Sequence, residues 1–129
     1  MVDTSAAVAI LTGEADGATL IDALDRAESR MISAATLVEL GIVLEARFGP
    51  VGMTVTDRFV TDARIDVVPV DREQAVHAVV AWRRFGRGRH SAALNYGDCF
   101  TYALAAAVSA PILCTGDDFS STDLEVIVG

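Results

Sequence analysis

The chain has 129 residues, 52% of them hydrophobic, a mean hydropathy of +0.41, a formal net charge of −8 and a pI near 4.5. That is one folded domain, over residues 1–129, with a real core. Disorder is excluded, and so is the basic coat of a nonspecific nucleic-acid binder. All ten basic residues are arginine. The absence of lysine excludes a P-loop, a phosphoacceptor receiver domain and a Schiff-base enzyme, each of which needs one. Cys99 and Cys114 fit no C-x-x-C pattern, so two buried thiols in a cytoplasmic chain are expected rather than a disulfide or zinc framework. The N-terminus lacks the basic region of a signal peptide, and no apolar run is long enough to span a bilayer, so no membrane association is expected.

In chain order, Met1-Val2 reads as a strand stub running into Asp3-Thr4-Ser5, with Thr4 or Ser5 capping a short helix over Ala6–Leu11 that Gly13 ends. Asp16–Glu28 carries Leu20, Ile21 and Leu24 at helical spacing. Met31–Ser33 is a short strand, and Ala34–Phe48 a long helix stopped by Gly49-Pro50. A helix follows over Met53–Asp62, with Val55, Phe59 and Val60 inward. Asp66–Val70 is a strand whose proline marks an edge or a strand end. Arg72–Phe85 is helical, Gly86–Leu94 a loop, and Gly97–Val108 a core helix. Pro111–Cys114 is a buried strand, Thr115–Phe119 a turn and Leu124–Val128 the last strand. Short apolar strands alternating with helices predict an α/β fold with a parallel sheet.

Sites in such folds form beyond the C-terminal ends of the strands. Asp3 closes the first strand, and Asp117-Asp118 follow the strand Pro111–Cys114. Glu39 sits among Ala35, Thr36, Val38, Leu40, Ile42 and Val43, with no arginine within helical reach. Asp98, in the first turn of its helix, also lacks a cation nearby. A single first-turn acid is ordinary helix capping. Several acids on apolar elements without local cations instead suggest a shared cation, since a buried unpaired carboxylate is costly. Oxygen ligands without histidine select a hard ion, Mg²⁺ or as a substitute Mn²⁺. Residues 82–90, WRRFGRGRH, hold four of the ten arginines and no acid. Arg83, Arg84, Arg87, Arg89 and His90 are candidates for contact with phosphates. A solvated helix end is the plainer account, but the segment leads directly into Asp98, which favours substrate contact; Trp82 is expected in the core rather than stacked on a base.

DTS after the first strand, T-x-x-E at Thr36–Glu39, RFG at Arg47–Gly49, GRGRHSAALNYGDCF at Gly86–Phe100, and TGDDF before the last strand occur in one ordered set. Together they resemble the PIN domain, and more narrowly the VapC ribonuclease toxins of VapBC type II toxin–antitoxin pairs. The resemblance implies a three-layer α/β/α sandwich with a central parallel sheet of about five strands, and Mg²⁺-dependent endoribonuclease activity on RNA. It places the catalytic and metal-binding acids at Asp3, Glu39, Asp98 and Asp117, with Asp118 as the alternative for the last. It assigns Thr4 or Ser5 to support of the metal shell. It further implies a VapB-type antitoxin as partner, in a hetero-oligomer, and a homodimer. A catalytically silent binding module and a DNA nuclease using the same metal chemistry are the competing readings.

Overall fold

The computed structural model describes residues 1–128. Six helices are interleaved with four three-residue strands: α1 Thr4–Thr12, α2 Gly17–Arg26, β1 Met31–Ser33, α3 Ala34–Phe48, α4 Val51–Asp62, β2 Asp66–Val68, α5 Arg72–Phe85, α6 Tyr96–Val108, β3 Ile112–Cys114 and β4 Val126–Val128. The strands form two parallel pairs. Ile32 of β1 stands opposite Val67 of β2, and Leu113 of β3 opposite Ile127 of β4. The segment Met1–Asp3 lies between the pairs. Val2 N–H donates to the Met31 carbonyl (2.8 Å), Leu113 N–H to the Met1 carbonyl (2.7 Å) and Asp3 N–H to the Leu113 carbonyl (3.0 Å).

The described residues therefore do not form the expected sheet of about five regular strands. They form four short strands, with a linking segment that pairs only at Val2. The shortness has local causes. Asp3 ends its segment by capping α1, and Ser33 ends β1 by capping α3. β2 stops at Val68, because Pro69 has no N–H to donate.

Alternate residues of these segments feed two cores, as period-two backbone requires. Met1, Ile112 and Cys114 join Phe85, Leu94, Tyr102 and Leu104 on the α5–α6 side. Val2, Ile32 and Leu113 join Leu20, Leu40, Leu44 and Phe59 on the side of α1–α4. Helices thus cover both faces. Most boundaries agree with the sequence reading, with one informative shift. The cap of α1 is Asp3 itself, whose carboxylate accepts from Ser5 N–H, rather than Thr4 or Ser5. Gly13 ends α1 in the left-handed conformation, φ 69°, where only glycine is unstrained. Cys99 and Cys114 are free and buried, and burial pushes their thiols up to about 11 and about 12.

Candidate active site

The C-terminal ends of Met1–Asp3, β1 and β3 open on one rim, together with the N-termini of α1, α3 and α6. A pocket of about 210 Å³ lies there, lined by Asp3, Thr4, Ser5, Glu39, Asn95, Asp98, Thr115, Asp118 and Phe119. Three of the four expected acids, Asp3, Glu39 and Asp98, meet in it although 36 and 59 positions separate them along the chain. Asp118, not Asp117, supplies the fourth wall. Its neighbour Phe119 is buried in the α5–α6 core and lines the same pocket, while Asp118 itself stays exposed at the mouth.

Each carboxylate is held by its own donors. Asp3 is 4% exposed. Its Oδ2 accepts from Ser5 N–H (2.9 Å) and Ser5 Oγ–H (2.7 Å), and its Oδ1 from Thr101 Oγ1–H (2.9 Å). Thr101 has one proton and gives it to Asp3, so the 3.1 Å contact between the Thr101 and Thr36 hydroxyls has Thr36 as donor. Ser5 Oγ in turn accepts from Thr115 N–H at 3.1 Å. The chain Thr36–Thr101–Asp3–Ser5–Thr115 thus joins α3, α6, the first segment, α1 and the end of β3.

Glu39 accepts from the Thr4 hydroxyl at 2.6 Å. Its carboxyl group lies over Gly97, in the first turn of α6. A Cβ at position 97 would stand 2.5–2.8 Å from the Glu39 carboxyl atoms, so a larger residue there would displace that carboxyl group. Gly97 and Thr101 touch the pocket acids, and sequence reasoning missed both. The one signal for Gly97 was a glycine opening an otherwise apolar helix. Thr101 gave none, because a threonine in a core helix is common.

Asp98 forms a capping box with Asn95: Asn95 N–H donates to Asp98 Oδ2 (2.7 Å) and Asp98 N–H to Asn95 Oδ1 (3.0 Å). Capping is therefore real, but it does not exhaust the role of the residue. Burial raises the Asp98 carboxyl from 3.8 to about 6, against the opposing Asn95 N–H and with added repulsion from Asp3, Asp118 and Glu39. The ion pairs among the described residues are Arg26–Asp22, Arg47–Glu14 and Arg84–Asp123, and none involves a pocket acid. No arginine lines the pocket.

The arginine-rich segment divides. Arg84 is turned away from the acids, donating to Asp123 Oδ2 (2.8 Å) and Tyr102 Oη (3.3 Å). The Tyr102 hydroxyl donates to Asp123 Oδ1 at 2.6 Å, so Arg84 clasps the last loop. His90 accepts from Ala92 N–H through Nδ1 at 3.1 Å and packs edge-on against Phe85. Arg89 stacks over Trp82, 4.1 Å from the ring centroid, and Trp82 is 43% exposed rather than a core residue. Arg83 and Arg87 stay exposed, with no ion-pair partner among the described residues.

Oxygen donors without cations fit a hard divalent ion. Among the described residues no group of three acids already closes on a single point.

An α/β fold that gathers acids on its carboxyl rim is the architecture of a family. The PIN-domain family model matches residues 1–124, and the chain belongs to that family. Its similar relatives are VapC ribonucleases. It is 45% identical to Ribonuclease VapC of Mycolicibacterium smegmatis, over 98% of each chain. It is 42% identical to Ribonuclease VapC30 of Mycobacterium tuberculosis, over 98% of this chain and 97% of the relative. Among solved structures it superposes on Mycobacterium tuberculosis VapC20, a sarcin-ricin loop cleaving toxin, with TM-score 0.79 at 19% identity, covering 98% and 96% of the two chains. It superposes on a chain of Rickettsia felis VapBC2 bound to a promoter DNA fragment with TM-score 0.75 at 14% identity, covering 100% and 97%.

Proposed function

We propose that this chain is the endoribonuclease toxin of a type II toxin–antitoxin pair, cleaving RNA phosphodiesters with Mg²⁺ and acting in the cytoplasm as a single PIN domain. The observation that carries it is the pocket in which Asp3, Glu39, Asp98 and Asp118 meet with no cation to neutralise them. The VapC relatives supply the ribonuclease chemistry and the VapBC complexes among the similar structures supply the partner class. The five parallel segments, ordered β2, β1, Met1–Asp3, β3 and β4 by their hydrogen bonds, are read as one central sheet between helical layers.

Asp3 and Asp98 are the principal metal holders, with Asp118 opposite them and Glu39 acting directly or through water. A bound divalent ion supplies a water of lowered pKa and charge stabilisation on phosphate. Ser5 and Thr101 fix both oxygens of Asp3. Thr4 fixes one oxygen of Glu39 and leaves the other free to orient water. Arg83 and Arg87, the arginines left unengaged, are available to phosphates flanking the scissile bond. A VapB-type antitoxin silences the site if it places an arginine among these carboxylates, since guanidinium competes for the same oxygens. The net charge of −8 suits a basic partner segment.

The test is incubation of the partner-free chain with total RNA and with single-stranded DNA, in Mg²⁺, in EDTA, and as Asp98→Asn. Discrete RNA cuts with 5′-phosphate ends, only in Mg²⁺ and only with wild type, are expected. Cleavage of DNA alone, 2′,3′-cyclic phosphate ends, or identical behaviour of all three preparations overturns the reading.

A further inference from the structure

The segment from Thr115 to Glu125 joins β3 to β4, two strands that pair in parallel. Such a crossover is ordinarily a helix. This one is built of turns and bends alone, so no backbone ladder fixes its place. Yet it carries Asp118 to the acidic pocket. The other three acids are each held by donors of their own: Asp3 by Ser5 and Thr101, Glu39 by Thr4, and Asp98 by Asn95. Asp118 is exposed, and its carboxylate accepts no hydrogen bond among the described residues. Its position is therefore that of the loop backbone, and whatever anchors the loop sets the fourth acid.

Three anchors are present. At the start, Thr115 N–H donates to Ser5 Oγ (3.1 Å). In the middle, Phe119 is buried, and its carbonyl accepts from both Thr122 N–H (3.0 Å) and Thr122 Oγ1–H (2.7 Å), which closes a compact turn. Just beyond that turn, Asp123 completes a triangle in which each side chain bonds the other two. Arg84 donates to Asp123 Oδ2 (2.8 Å) and to Tyr102 Oη (3.3 Å), and the Tyr102 hydroxyl donates to Asp123 Oδ1 (2.6 Å). The Arg84–Asp123 pair is half-exposed, and such a pair alone holds little. Tyr102 makes the difference. It is buried, its ring packs on Phe85 at 5.3 Å, and a hydroxyl donating to a carboxylate is the shorter and stronger kind of hydrogen bond. Tyr102 also stands one turn beyond Asp98 on α6 and next to Thr101. The first two turns of α6 thus meet all four acids: Asp98 directly, Glu39 against Gly97, Asp3 through Thr101, and Asp118 through Tyr102 and Asp123.

We propose that Tyr102, Arg84 and Asp123 are positioning residues for Asp118: the triangle pins the helix-free crossover to α6 and so holds the fourth acid in register with the other three. None of the three lines the pocket, so they act through the loop and not on the ion. The inference rests on the reading of the pocket as a Mg²⁺ site.

Two measurements on the full chain without RNA test it. Tyr102→Phe keeps the ring and removes only the hydroxyl, and Asp123→Ala alters a half-exposed side chain, so both variants fold, as circular dichroism verifies. The first measurement is metal-free hydrogen exchange. The Ser120 and Thr122 amides, which donate to the Asp117 and Phe119 carbonyls, are expected to exchange at least about tenfold faster in both variants. The second is Mg²⁺ affinity by calorimetry, in wild type and in an Asp118→Asn background. Each variant is expected to weaken Mg²⁺ binding about tenfold in the first, the lower end of what loss of a supporting residue costs a metal site. In the second it should cost less than about twofold, because the residue it positions is already gone. A merely structural triangle lowers Tm and leaves Mg²⁺ affinity alone. The proposal is overturned by unchanged exchange in the loop, by unchanged Mg²⁺ affinity, or by an equal loss in both backgrounds. A wild type that takes up no Mg²⁺ is a different failure: it overturns the metal reading, and the role of Asp118 with it.

Discussion

Gly97→Ala separates a structural from a catalytic role for the acidic pocket. The position has ordinary helical backbone in the first turn of α6, so alanine brings no strain, and helix propensity favours it by up to about 1 kcal/mol. The cost falls elsewhere. The new methyl group would stand 2.5 Å from Glu39 Oε2 and 2.7 Å from Oε1. Carbon–oxygen contact distances require the carboxyl group to retreat by roughly 0.5–1 Å. Glu39 ends a flexible side chain at the pocket mouth, so it can retreat without disturbing the core. It then leaves the Thr4 hydroxyl, now 2.6 Å away, and its place beside the other acids. A displacement of about 1 Å in a positioned catalytic group costs on the order of 100-fold in rate. The expected variant is therefore at least as stable as wild type in thermal unfolding, and slower by about two orders of magnitude in Mg²⁺-dependent RNA cleavage. Wild-type cleavage by a folded Gly97→Ala protein refutes the placing of Glu39 in the mechanism. A drop in Tm with proportional loss of activity refutes the claim that the glycine serves the site rather than the fold.

Other outcomes follow from the same geometry. The folded form holds the Asp98 proton more tightly than the unfolded chain, so ionisation of Asp98 opposes folding: stability is full below about pH 4 and is lost as pH rises through about 6. Asp98→Asn should then out-stabilise wild type above pH 6, by about 2 kcal/mol once solvent screening is allowed for, and converge with it below pH 4 in urea titrations. Mg²⁺ should raise the Tm of wild type and not of this variant; a metal shift of equal size in both removes Asp98 from the ligand set. Thr101→Val keeps the shape but strips the donor from Asp3 Oδ1 and the acceptor from Thr36. A loss of about 2 kcal/mol is expected, together with weaker Mg²⁺ binding by calorimetry. Asp118→Asn should lower cleavage at least about tenfold while Asp117→Asn leaves it near wild type, since only Asp118 lines the pocket; the reverse order assigns the fourth acid to Asp117.

The sequence by itself determined the elements and the suspects. Apolar periodicity, Gly49-Pro50 and the caps set helix boundaries to within a residue or two in most cases, because those signals act within one turn of backbone. Asp3, Glu39 and Asp98 stood out because carboxylates among apolar neighbours need a reason wherever the chain folds. What needed the third dimension were questions of direction and partnership. Asp117 and Asp118 are equivalent in a string of letters, and only the folded loop brings Asp118 rather than Asp117 to the pocket wall. Four arginines in nine residues look like one basic patch, yet Asp123, 39 positions beyond Arg84, pairs with Arg84. Thr101 and Gly97 became site residues through contacts across the sheet with Asp3 and Glu39. Local propensity is written in neighbouring residues, whereas the pairing of a buried carboxylate with its donors depends on segments that only tertiary packing brings within 3 Å.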